Sequence, residues 1–439
     1  MAPLIVVGCA DAGKDVRPDR AAAGLEMMNA GDTERAFNYL SDVVEEEYAN
    51  PAAHRAYIQA AVKTRRLAEV EDEYRARTGK DPRWVARYAL GIIQYVKGPV
   101  HGAAALRELR AAAELAPGLP DVHYRLGIAL LEMEEMGEAC EALKRCSGLD
   151  PRHPSYRPPL ALCLFHNGDP AGARRELAAM LDLDPSEKDV AQASTVMARI
   201  NNPFAMIPKG IESDYTKAVE YLEKHDVPAR AVEILDAIAG KFPEVAPVRI
   251  MLGMAYGRLG DNARAIAELK AAGELVPDTA AVWQGLAGIY HGIDKSDLAV
   301  EHYVRAIALD PLLASAYVQL GALYVDRGGF DRAVPLFEKL VKIDRNREDY
   351  RFMLGRALQL LGRLDAAERE FLWMVEKNKE SVHGLVGLGF VYAARRLREK
   401  DPDRRAELRE KAYDAASQAL QVDPNFEAAK KLLDTLRID

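Results

Sequence analysis

The chain has 439 residues, a formal charge of −8, 49% hydrophobic and 29% charged residues, the make-up of a folded globular or repetitive chain rather than a disordered one. No apolar stretch approaches the ~20 residues of a membrane-spanning helix, and an acidic balance without a basic stripe argues against nucleic-acid binding. Alanine and leucine dominate and aromatics are only 7%, so most of the chain reads as helix.

The first residues are MAPLIVVGCADAGKD. Gly8, four residues and Gly13-Lys14 approach the phosphate loop G-x-x-x-x-G-K-[ST], but three points oppose a nucleotide site. Asp15 stands where a magnesium-ligating hydroxyl belongs. Pro18 falls where a helix N-terminus should face the phosphate. No alternation of strand and helix follows to supply a parallel sheet. Val6-Val7-Gly8-Cys9 resembles instead the lipobox of bacterial lipoproteins. That resemblance implies cleavage before Cys9, lipidation of Cys9 and a tether, ADAGKDVRPDR, with residues 1–16 as leader and the chain anchored in a bacterial envelope facing the periplasm. A signal also needs a basic start and an apolar run of about 7–15 residues. Only a handful of residues precede Cys9, none of them basic. Either the start codon lies upstream of Met1 or the match is a coincidence in a leader, and the alternative location is the cytoplasm. Asp11 leaves inner or outer membrane open.

Beyond the leader the chain repeats. Pro117, Pro151 and Pro185 are 34 residues apart, as are Pro243, Pro277 and Pro311, and Gly253, Ala287, Gly321, Gly355 and Gly389 make a second ladder of the same step. Such a period marks a stack of small supersecondary units. In APVRIMLGMAYGRLGDNARAIAELKAAGELVP, Leu252-Gly253 and Tyr256 sit on a first helix, Gly260-Asp261 breaks it, and Ala265, Leu269 and Ala272 mark a second helix. Gly253 and Ala265 are small where the two helices cross; Leu252, Tyr256 and Leu269 fill the space to the next unit; Ala272 lets the following helix approach. Pro277 cannot continue the helix and turns the chain.

This pattern resembles the tetratricopeptide repeat, W-x-x-L-G-x-x-Y followed by A, F, A and P. Trp283-Leu286-Ala287-Tyr290 leads to Ala299, Tyr303, Ala306 and Pro311; Tyr317-Leu320-Gly321-Tyr324 to Ala333, Phe337 and Leu340; Leu354-Gly355-Leu358 to Ala367, Phe371 and Met374. In the looser N-terminal half, Leu126-Gly127 with Ala139, Leu143 and Pro151 is a good unit, Gly24 with Gly31, Ala36 and Leu40 a fair one, and 51–82 a degenerate one. The resemblance implies an all-α fold, an α-solenoid in which about eleven antiparallel helix pairs wind into a right-handed superhelix. Five units span 17–185 and six span 213–424, separated by 186–212 and closed by a capping helix at 425–439, FEAAKKLLDTLRI with lysines on one face.

Two stretches break the pattern. Residues 187–200 read as one helix without a partner, followed by the breakers Asn201-Asn202-Pro203 and Pro208-Lys209-Gly210. This is either a decayed repeat or a hinge whose Phe204, Met206 and Ile207 dock on a neighbouring array. RRLREKDPDRRAELREK, 395–411, inserts between the two helices of the last unit, and its interleaved charges read as solvated helix ends rather than a binding patch.

In the family the first helix of each unit lines the concave side. Phase then points Tyr88, Ile92, Tyr95, Tyr124, Ile128, Leu131, Leu162 and Phe165 inward, an apolar, aromatic stretch of the kind that binds partners. The opposing reading is that neighbouring helices cover these residues. Some family members grip a C-terminal carboxylate with lysine and asparagine; here those positions hold Ala21, Leu25, Arg55 and Gln59, so no such clamp is expected. The nine histidines never fall at zinc-hydrolase spacing, and the four cysteines form no C-x-x-C. Cys140 and Cys146, six apart on one helix, point in different directions and are not expected to pair. The expectation is a non-catalytic adaptor with no cofactor, no metal site, no small-molecule substrate and no nucleic acid. It would hold peptide or helix segments of partner proteins and assist an envelope machine for secretion, pilus assembly, motility or polysaccharide export. The alternative is a cytoplasmic interaction module without lipid.

Overall fold

The structure is a computed structural model that describes residues 19–80, 82–201 and 207–438. The leader, including Cys9, and Phe204 and Met206 of the link, for which the sequence gives expectations, lie outside the described residues. The chain divides into two compact units, 1–192 and 193–439.

In the first unit ten helices form five consecutive hairpins: α1 (Arg20–Asn29) with α2 (Thr33–Glu46), α3 (Pro51–Lys63) with α4 (Leu67–Ala76), α5 (Trp84–Val96) with α6 (Gly102–Leu115), α7 (Pro120–Glu132) with α8 (Met136–Leu149), and α9 (Arg157–His166) with α10 (Pro170–Asp182). The division between units falls inside α11 (Glu187–Ile200). In the second unit six hairpins follow: α12 (Glu212–Glu223) with α13 (Pro228–Lys241), α14 (Ala246–Arg258) with α15 (Asn262–Leu275), α16 (Ala280–Gly292) with α17 (Ser296–Leu309), α18 (Ala314–Asp326) with α19 (Phe330–Ile343), α20 (Glu348–Leu360) with α21 (Leu364–Lys377), and α22 (Val382–Arg398) with α23 (Pro402–Val422). A final helix, α24 (Glu427–Ile438), packs on the last pair. Within each unit every pair packs on the next, which is the architecture of an α-solenoid.

In six of the eleven pairs the crossing depends on glycine, as Gly253 suggested. A Cβ added to Gly24, Gly91, Gly127, Gly253, Gly321 or Gly355 would fall 2.3–2.7 Å from a side-chain atom of Leu40, Leu109, Leu143, Leu269, Phe337 or Phe371 on the second helix. The hairpin turn has its own rule. In all but the last pair one turn residue has positive φ: Gly31, Arg65, Gly98, Glu134, Gly168, Asp226, Gly260, Asp294, Gly328 and Gly362. A left-handed residue stops the first helix and reverses the chain, at little cost only where it is glycine.

The array ends are closed by apolar side chains. Ile207 and Ile211 enter the core of the second unit beside Tyr215, Ala218 and Leu222, covering the first pair. At the other end Ala429, Leu432, Leu433 and Leu436 are buried, while Lys431, Asp434 and Arg437 face outward. Arg409 donates through Nε and Nη2 to the Leu436 carbonyl at 2.9 and 2.5 Å, satisfying the end of the capping helix. The charged insertion is taken up as longer helices: α22 has 17 residues and α23 has 21.

Candidate functional site

Six of the eleven first helices, α3, α7, α9, α14, α16 and α20, are anchored at the position where the repeat signature carries tryptophan. There a side chain donates to the carbonyl six residues back, in the turn between pairs. The bonds are His54 Nε2 to Tyr48 at 2.7 Å, His123 Nε2 to Pro117 at 2.9 Å, Arg157 to Pro151 at 2.8 Å, Arg249 to Pro243 at 2.6 Å, Trp283 Nε1 to Pro277 at 2.8 Å and Arg351 to Arg345 at 3.1 Å. The three arginines also reach a glutamate nineteen residues on, in the second helix: Glu176 at 2.5 Å, Glu268 at 2.8 Å and Glu370 at 2.7 Å. Each guanidinium thus joins a turn to both helices of its pair, which a single-charge lysine cannot do in one plane. These anchors fix the direction in which the remaining first-helix side chains point.

On the first unit the predicted inward residues divide. Tyr88, Ile92 and Tyr124 are 0%, 8% and 4% exposed and belong to the core, so they are corrected from surface to interior positions. The reason lies in the neighbouring pairs. The Tyr88 hydroxyl donates to Asp121 on α7 and accepts from Arg55 on α3 at 3.3 Å, while Arg55 pairs with Asp121 at 2.6 Å. Burial pushes the Tyr88 phenol well up. Burial also acts to raise the Asp121 carboxyl, but Arg55, Arg125 and the Tyr88 bond outweigh it and hold it below the usual range. Three successive first helices are thereby joined by one charged network. Arg55, one of the clamp positions, is consumed in it. The Tyr124 ring lies 5.1 Å from that of Tyr156, next in the stack. Tyr95, Ile128, Leu131, Leu162 and Phe165 are half-buried. They remain on the face of α5, α7 and α9, with Tyr95 donating to Glu132.

The second unit carries a feature the sequence reading missed. A cleft of about 630 Å³ opens on the face of α14, α16 and α18, the first helices of three successive pairs. Its floor is α16, whose Ala281, Gly285, Gly288 and Gly292 lie in it at helical spacing. Met254 and Arg258 of α14 and Gln319 of α18 stand on either side. Gln284 donates to Ser315 Oγ at 2.6 Å, which fixes its amide at the cleft edge. Arg258 is held over the end of α12 by the Leu222 carbonyl and by Asp226 at 3.3 Å. The glycines serve different ends. Gly257 leaves room for Ile289, whereas an added Cβ at Gly288 meets only the Tyr303 hydroxyl at 3.9 Å and at Gly292 nothing within 4 Å. The last two are therefore not required by packing. Their run in AVWQGLAGIYHG was the available signal. Among the described residues no group of three or more His, Cys, Asp or Glu is placed to hold a metal ion, and no helix is long and apolar enough to cross a membrane.

Family models described as tetratricopeptide repeat match residues 124–188 and 318–378, 227–289, and 280–311. This is a tetratricopeptide repeat protein. The repeat protein is 24% identical over 251 residues to a peroxisomal targeting signal receptor of Eremothecium gossypii, covering 56% of this chain and 39% of that one. It is 29% identical over 133 residues to the mouse (Mus musculus) superkiller complex protein 3, covering 30% of this chain and 8% of that one. The match thus spans well under half the length of either relative. Among solved structures, YrrB, titled a TPR protein with an unusual peptide-binding site, aligns with a TM-score of 0.40 at 22% identity, over 46% of this chain and 97% of that one.

Proposed function

We propose that this protein is a non-catalytic scaffold that holds segments of partner proteins on the face of its first helices, chiefly in the cleft of the second unit. The observation that carries the reading is the pair Gly288 and Gly292, glycines on a helix face where no neighbour demands them. Glycine inside a helix costs roughly 0.5–1 kcal/mol against alanine, and an open cleft is what the missing side chains leave. The relatives' names, a targeting-signal receptor and a member of a complex, agree with a role in engaging other proteins.

Filling the cleft is the test. Gly288→Phe and Gly292→Phe put rings into open space, so the melting temperature should stay within a degree or two while partners captured by the wild-type protein are lost. Unchanged capture by both variants would exclude the cleft. A second surface on the first unit rests on the half-buried Tyr95, Ile128, Leu131, Leu162 and Phe165. There Ile128→Asp with Leu162→Asp should remove a different set of partners.

The finer part of the proposal concerns location. Val6-Val7-Gly8-Cys9 supports a lipid anchor at Cys9, a periplasmic array and service to an envelope machine for secretion, pilus assembly, motility or polysaccharide export. The competing reading is a cytoplasmic module. Growth with a clickable fatty acid separates them: label on the native gene product that disappears in Cys9→Ser supports the anchor, and an unlabelled product removes it.

A further inference from the structure

Met254 and Gly288 line the cleft from α14 and α16. They are 34 residues apart, and the same step leads on to Ala322 of α18, Arg356 of α20 and Phe390 of α22. One line of equivalent positions therefore runs from the cleft across the following pairs. The Arg356 guanidinium lies 5.6 Å from the centre of the Phe390 ring, so α20 and α22 meet along it. Phe352, four residues before Arg356 on the same helix, is half-buried and stands 4.9 Å from the His383 ring of α22. Arg356 itself is half-buried, and its Nη1 donates to Gln359 Oε1 at 2.9 Å. Among the described residues no carboxylate oxygen stands within 4.0 Å of it, whereas Arg157, Arg249 and Arg351 on first helices meet Glu176, Glu268 and Glu370. Its Nε and Nη2 bond to no described group and stay open to solvent. Those two groups share one edge of the guanidinium plane and match the two oxygens of a carboxylate.

We propose that the first-helix face of the second unit takes an extended partner segment, with an Asp or Glu side chain on Arg356 and an apolar side chain in the cleft over Gly288. The apolar contact rests on the cleft being the binding site. The acidic contact rests on charge: a guanidinium that has lost part of its water and has no counter-ion gains more from an incoming carboxylate than an exposed one. Phe352 and Phe390 flank it with apolar surface, which strengthens the pairing by excluding water. Spacing fixes the register. Gly288 and Arg356 are two helix pairs apart, roughly 16–20 Å at ~8–10 Å between packed helices. An extended chain rises ~3.3 Å per residue, so the apolar and acidic residues of the segment stand about five or six positions apart. The acid is a side chain rather than a chain end, because the face continues past Arg356 to Phe390 and holds the segment beyond the charge.

The probe is a phage library of random linear peptides long enough to span both contacts, selected on the full-length protein. Enriched sequences are synthesised with amidated C-termini, so that every carboxylate is a side chain, and their Kd is measured by fluorescence anisotropy. The expected result is enrichment of Asp or Glu about five or six positions from a large apolar residue. Arg356→Glu should weaken these peptides at least about tenfold, and replacing the peptide's acid with lysine should restore binding to that variant. Arg356→Gln should weaken them without lowering the melting temperature. Gly288→Phe should weaken them by closing the cleft to the apolar side chain. Peptides lost with Gly288→Phe but bound equally by both Arg356 variants overturn the acidic contact and leave the cleft standing. Peptides that need Arg356 yet are indifferent to Gly288→Phe support the acidic contact and exclude the cleft. Binding that requires a free C-terminal carboxylate, or a selection that enriches no peptide, overturns the proposal. If Arg356→Glu fails to fold, Arg356→Gln decides alone.

Discussion

A Cβ placed on Gly321 would lie 2.3 Å from the ring of Phe337, a side chain only 3% exposed. That contact sets how closely α18 and α19 cross. Gly321→Ala should gain helix propensity yet lose more to overpacking, a net cost of about 1–2 kcal/mol. Gly288→Ala, with nothing nearer than 3.9 Å, should instead stabilise by up to about 1 kcal/mol. Urea midpoints of the two variants against the wild type check the opposite signs.

The hairpin turns give a second contrast. Arg65 has φ 60° where six other turns have glycine. A left-handed residue with a side chain costs about 1–2 kcal/mol, so Arg65→Gly should raise the melting temperature. Gly328→Ala, at φ 71°, should lower it. Thermal melts of both suffice, and equal shifts in the same direction would refute the rule.

The Asp121 network should be a point of failure for the first unit. Asp121→Asn keeps the shape but removes the carboxylate charge that pairs with Arg55, 14% exposed, at 2.6 Å. The expected loss is about 2–3 kcal/mol. Because repeat arrays need not unfold in one step, hydrogen exchange is the better readout. Protection should fall in α3, α5 and α7 together while α18–α21 are unaffected.

His54 gives the pH dependence. Its Nε2 donates to the Tyr48 carbonyl and its Nδ1 accepts from the Tyr74 hydroxyl at 2.5 Å, so the ring is held neutral. Burial lowers it to about 4 from the ordinary 6.5. Above pH 6.5 neither the folded nor the unfolded chain carries the proton, and the contribution is complete. As pH falls toward 4 only the unfolded chain takes the proton up, and roughly 3 kcal/mol is withdrawn across that window. An NMR titration of the His54 ring should give a midpoint near 4, and a midpoint near 6.5 would show the ring to be solvated. His54→Gln should flatten the loss of stability between pH 6.5 and 4.

Several of these features were legible in the residues. The step of thirty-four from Pro117 to Pro185 and from Pro243 to Pro311 announced the pairs, because proline between helices is a local steric event. The close crossing at Gly253 and Ala265 was likewise readable. Tyr88, Ile92 and Tyr124 misled because phase gives the direction of a side chain and not the depth of what covers it. Asp121 and Arg55 close over Tyr88 from units about thirty-three residues to either side. Glycine does not by itself tell a close approach from an open face: Gly257 of α14 makes room for Ile289, whereas Gly288 of α16 has nothing nearer than 3.9 Å.

The sequence alone determined that this chain is a stack of helical hairpins, since periodic apolar positions and breakers act within a few turns of where they stand. The tertiary structure alone decided which first-helix residues are core and where a cleft is left open. Those depend on the fit between side chains of successive pairs, and a repeat pattern averages that fit away.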